Sequence, residues 1–85
     1  LLMSNFTQER IQQVWEKGDI IRGKDPDLYR ADKYGNQMYR HSYGKYSEQG
    51  WNIDHSKPQS KGGTDHLNNL QPMNSRTNCS KGNKY

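Results

Sequence analysis

Trp51-Asn52-Ile53-Asp54-His55, then Pro58-Gln59-Ser60-Lys61-Gly62-Gly63, then Asn69-Leu70-Gln71-Pro72, and finally Asn78 and Lys81 form the stretch on which the fold turns. The first five residues alternate apolar and polar, as a half-buried strand does. Pro58 and Lys61-Gly62-Gly63 end that strand in a loop, and Asn69-Leu70-Gln71 suits a second strand. Beyond Pro72 the segment Met73 to Ser80 meets no breaker until Gly82, so a short closing helix is expected, capped by Asn74 or Ser75. The order is strand, loop, strand, helix. Asp54 and His55 stand at the end of the first strand. Asn78 and Lys81, three apart, share a helix face and can look back across the hairpin toward His55.

Working toward the N-terminus, residues 19–50 are broken by Gly23, Pro26, Gly35, Gly44 and Gly50 and read as hairpin and loop. Asp32-Lys33-Tyr34-Gly35-Asn36 makes a turn between two short strands and so brings Tyr29, Arg30, Tyr39 and Arg40 near one another. Residues 5–18 read as one amphipathic helix, with N-cap chemistry in Asn5-Phe6-Thr7-Gln8 and an apolar face of Ile11, Val14 and Trp15. Gly18 is the expected stop. No internal repeat or low-complexity tract interrupts this organisation.

Composition sets the bounds. With 85 residues there is room for one domain, 1–85, and only 28% are hydrophobic, so the core is thin and a bound metal is one way to reinforce it. Thirteen Lys+Arg against nine Asp+Glu give a net charge of +4, which favours a polyanionic partner such as nucleic acid. Six Tyr and two Trp interleave with the cations, although most aromatic side chains serve a core first. The single Cys79 excludes an internal disulfide and any zinc knuckle of paired Cys-x-x-Cys motifs. No apolar run suits a membrane span, and Leu1-Leu2-Met3 is too short for a signal-peptide core, so a soluble, cytoplasmic protein is expected.

The residues quoted at the outset resemble the HNH (ββα-metal) nuclease family, whose members carry D-H, P, G-G, N-L and N-x-x-K in that order. The resemblance is strong over residues 51–84 and is less specific from Tyr29-Arg30 to Tyr43-Gly44. It implies an α+β fold: a small ββα-metal core with an N-terminal helix and an extra hairpin. It assigns His55 as general base, a role suited to an imidazole that is neutral near pH 7. A histidine outside such a motif is usually a packing residue, and His41 and His66 keep that reading. Asp54 and Asn78 correspond to the metal ligands. Both offer hard oxygens, which suit one divalent cation, Mg2+ or Mn2+, better than a closed zinc site. This departs from members that bind metal through several histidines.

Asn69 matches the middle letter, implied to brace the loop that carries His55, and Leu70 distinguishes it from Asn68. Gly62-Gly63 would let the loop turn tightly, and Pro58 would stiffen its start. Arg76, Lys81, Lys57 and Lys61 are candidate phosphate contacts, each weighed against the ordinary role of a solvated surface cation. The implied activity is endonucleolytic hydrolysis of double-stranded DNA with weak sequence specificity, leaving a 5′ phosphate and a 3′ hydroxyl. Nicking by a monomer is expected, because Ile11, Val14 and Trp15 are spent on the domain's own core. Two rivals are a binding module that has lost catalysis and the toxic domain of a secreted effector, with RNA among its targets and an immunity protein as partner. Asp54, His55, Asn69 and Asn78 are all present, which argues against the first.

Overall fold

The computed structural model describes residues 6–81, with the side chain of Lys81 excepted. Asn5 and the Leu1-Leu2-Met3 start, like Gly82 and the closing residues 83–85, lie outside the described residues.

Helix α1 runs Gln8–Trp15, with Thr7 as N-cap accepting from Arg10 N at 3.0 Å. It buries Ile11, Val14 and Trp15, the face set by the apolar spacing. It stops three residues short of Gly18. Glu16 is the C-cap, and the next two amides bond in tight turns, Lys17 N to Val14 O and Gly18 N to Trp15 O. Arg30 holds this end: its Nη1 donates to Gly18 O at 3.0 Å and its Nε to Pro26 O at 2.9 Å. Cations near a helix C-terminus satisfy its orphan carbonyls.

Strands β1 (Asp19–Ile20), β2 (Tyr29–Ala31) and β3 (Gln37–Tyr39) form an antiparallel sheet in that order. The expected hairpin is β2–β3, with Tyr29 opposite Tyr39 and their rings 5.3 Å apart. Of the two arginines expected beside them, Arg30 turns to α1. The guanidinium of Arg40 reaches Gln12 Oε1 at 2.9 Å.

Strands β4 (Trp51–His55) and β5 (Leu70–Asn74) form a separate antiparallel ribbon, with His55 opposite Leu70 and Trp51 opposite Asn74. Helix α2 (Ser75–Lys81) follows directly and packs on both strands. Pro72, expected to end the second strand, lies inside it, opposite Ile53. The ladder explains why it is tolerated. Backbone bonds join Ser75 N to Gly50 O and Ser56 N to Asn69 O, so alternation leaves Ile53 and Pro72 in a non-hydrogen-bonded pair where no amide hydrogen is needed.

The core lies where α1, β3 and the ribbon meet. Trp15 and Trp51 are both fully buried, with ring centroids 5.1 Å apart, and Met38 and Leu70 close around them. Each indole hydrogen is satisfied, Trp15 by Pro26 O and Trp51 by Arg40 O.

Asp32 is 1% exposed and joins the first sheet to the ribbon. Its Oδ1 accepts from the amides of Tyr34 and Asn36, which folds the turn between β2 and β3. Its Oδ2 accepts from Asn74 N at 3.0 Å. Asn36 Nδ2 adds a bond to Thr77 Oγ1 on α2. Asn74 Oδ1 caps α2 by accepting from Arg76 N and Thr77 N, while its Nδ2 donates to Gln37 O and Glu48 O.

Candidate nuclease site

The alternation of β4 separates its two chemical residues. Trp51, Ile53 and His55 share the face turned to the core, and His55 reaches its outer end with 15% of its side chain exposed. The Phe6 ring packs 6.4 Å from the imidazole. His55 Nε2 meets Asp65 Oδ1 at 2.7 Å.

Asn52 and Asp54 share the opposite face, which α2 covers: Asn52 Nδ2 donates to Ser75 Oγ at 2.9 Å. Asn78 lies three residues past Ser75 on the same helix face, and Asp54 two residues past Asn52 on the same strand face. The Asn52–Ser75 bond therefore sets the Asp54 side of β4 opposite the Asn78 side of α2. Gln71, the cross-strand partner of Asp54, donates to Asp54 Oδ2 at 2.8 Å and orients the carboxylate. Asp54 and His55 are adjacent at the end of β4, and α2, which carries Asn78, packs against that strand on the Asn52 side. The side chain of Lys81 lies outside the described residues.

Residues 56–69 return the chain from β4 to β5, and Asn69 clamps that loop. Its Oδ1 accepts from Lys57 N at 2.8 Å, and its Nδ2 donates to Lys57 O at 3.1 Å and to Thr64 O at 2.8 Å. An amide is the side chain suited to this, since it offers donors and an acceptor together. Gly63 is required by contact: a Cβ there would fall 1.7 Å from Lys57 O. Gly62 beside it adopts φ +89°, the left-handed region that glycine enters freely.

Lys17 supports the same loop from the turn that follows α1, its ammonium donating to Leu67 O at 2.8 Å and to Leu70 O. Burial holds this lysine below its ordinary 10.5. Arg76, Lys57 and Lys61 are exposed, and the Arg76 guanidinium lies 5.8 Å over the exposed Tyr46 ring. His41 and His66 are exposed and have no role in the clamp.

Two residues that the motif did not single out organise this region, Asp65 and Asp32. For Asp65 the available signal was an acidic side chain between Gly63 and Asn69, in a loop whose two ends carry motif residues. For Asp32 it was the Asp-x-x-x-Asn turn, whose carboxylate is longer-ranged in effect than a turn requires.

Asp54 and Asn78 offer a carboxylate and an amide oxygen from two packed elements. That donor set fits a cation that keeps waters and takes phosphate oxygens from its substrate. Among the described residues no group of three His, Cys, Asp or Glu is placed to hold a metal ion.

A family model described as HNH endonuclease matches residues 41–84. No curated protein and no solved structure matches the chain. The matched span holds β4, the clamped loop, β5 and α2. The chemistry of that family is hydrolysis of nucleic acids, generally with a divalent metal ion.

Proposed function

The chain belongs to the HNH endonuclease family, and from that premise we propose that it is a metal-dependent DNA endonuclease with His55 as general base. The observation that carries this reading is the arrangement of Asp54, His55, Asn69 and Asn78 on one strand–loop–strand–helix unit, with Asn69 clamping the loop behind His55. Asp54 and Asn78 would hold one Mg2+ or Mn2+, which when bound neutralises charge on the phosphate and on the departing 3′ oxygen. His55 removes a proton from water so that the water oxygen attacks phosphorus in line, leaving a 5′ phosphate and a 3′ hydroxyl. Asn69 keeps the loop, and with it the imidazole, in register. Arg76, Lys57, Lys61 and Lys81 contact the backbone of double-stranded DNA, which positions the duplex without reading its bases.

One catalytic unit per chain acts on one strand at a time. Supercoiled plasmid should therefore pass to open circle before any linear form appears, and chelator should stop the reaction. His55→Ala should lower the cleavage rate by about 10²- to 10⁴-fold while leaving manganese binding by calorimetry intact. Asp54→Ala and Asn78→Ala should instead raise the ion concentration needed. Linear DNA at the earliest times would replace the monomeric nickase with a dimer that cuts both strands, and loss of manganese affinity in His55→Ala would make His55 a ligand.

A further inference from the structure

A base must present a lone pair at one defined nitrogen, and imidazole has two candidates. The contact between His55 and Asp65 chooses between them. Asp65 Oδ1 lies 2.7 Å from His55 Nε2. A carboxylate accepts and has no hydrogen to give, so in neutral imidazole the hydrogen sits on Nε2 and the lone pair on Nδ1. Among the described residues Nδ1 has no hydrogen-bonding partner of its own.

The loop is built to deliver this carboxylate. Asn69 Nδ2 fixes Thr64 O at 2.8 Å, the carbonyl immediately before Asp65, and Gln59 Nε2 reaches Asp65 Oδ1 at 3.4 Å. Asp65 itself is 57% exposed and adds nothing to the core. The Phe6 ring lies beside the imidazole, 6.4 Å away between ring centroids.

We propose that Asp65 is a positioning residue for the nuclease reaction: it accepts the Nε2 hydrogen of His55, fixes the tautomer that leaves Nδ1 as the basic atom, and holds the ring in that orientation. The inference rests on the reading of His55 as general base. When water gives its proton to Nδ1, the Nε2 hydrogen stays on the ring, and the carboxylate faces the imidazolium so formed. Asn69 then acts on the imidazole through Thr64 and Asp65 as well as through Lys57.

The test uses the full chain with 15N-labelled histidine, compared as wild type, Asp65→Ala and Asp65→Glu. Ring nitrogen shifts at about pH 8, where free imidazole is neutral, report the tautomer directly. Wild type should show Nε2–H and an unprotonated Nδ1, and Asp65→Ala should show a mixture of tautomers. With plasmid DNA and Mn2+, Asp65→Ala should lose about 10- to 100-fold in kcat, with KM and calorimetric Mn2+ affinity unchanged. Asp65→Glu should recover part of both the shift pattern and the rate.

An Asp65→Ala protein with the wild-type tautomer and the wild-type kcat would overturn the proposal. Collapse of Mn2+ affinity would also overturn it, by making Asp65 a metal ligand. Failure of the wild type to cleave would instead sink the nuclease reading, and the nitrogen shifts would still decide whether Asp65 sets the His55 tautomer.

Discussion

The region 8–39 and the region 51–81 differ in what they contribute. The second holds Asp54, His55, Asn69 and Asn78, and it falls inside the matched span 41–84, while the first lies outside that span. Yet Ile11, Val14, Trp15 and Met38 of the core come from the first region, and Trp51, Leu70 and Met73 from the second. A two-stranded ribbon with a two-turn helix cannot bury enough surface to stand alone. The first region supplies the missing half of the core and polar anchors that include Asp32 to Asn74, Asn36 to Thr77, Gln37 to Asn74 and Lys17 to Leu67. The candidate site therefore sits in a unit whose rigidity is provided by residues outside it.

The most severe way to break this division is to remove residues 1–40. The remaining chain should show no cooperative thermal transition and no cleavage; a folded, active fragment would show the ribbon to be self-sufficient. Trp15→Ala should cost about 3–5 kcal/mol in urea denaturation, because the cavity opens against Trp51 at the junction of the two regions. Asp32→Ala should cost about 2–3 kcal/mol, since it leaves Asn74 N and two turn amides without their acceptor. It should also raise the Mn2+ concentration needed for cleavage, because Asn74, which caps α2, loses one of its ties to the first sheet. A stability loss with unchanged metal dependence would separate the two regions again.

Lys17→Met should have the smallest effect, about 1 kcal/mol from the lost bonds to Leu67 and Leu70. It carries a pH signature as well. The folded-state pKa of Lys17 is below the ordinary 10.5, so between the two values the unfolded chain binds more protons and stability rises with pH. Lys17→Met should flatten that rise in a series of denaturation curves.

The region inside the matched span was the more legible in sequence for a physical reason. Strand alternation and motif spacing are local, and β4 emerged at Trp51–His55 as read. The apolar spacing of Ile11, Val14 and Trp15 identified the buried face of α1 equally well. β1 was not legible, because Asp19 and Ile20 are both exposed and two residues hold no period. Pro72 misled because its effect depends on which ladder position it occupies, and that is fixed by pairing with Ile53 rather than by its neighbours. Asp32 and Asp65 were identifiable as polar turn residues, but their partners Asn74 and His55 are chosen only once the chain has closed on itself.

The long reach of those anchors has a kinetic consequence. Lys17 meets Leu70 across 53 positions of sequence, and Asp32 meets Asn74 across 42. Loops of that length must close before either contact contributes, so the frame around β4, β5 and α2 belongs to the late, high-contact-order part of folding. A nascent chain that has released α1 and the first sheet but not yet β5 carries His55 with no partner strand and no clamped loop. On the proposed reading of His55, competence for hydrolysis is thus acquired in the closing step of folding.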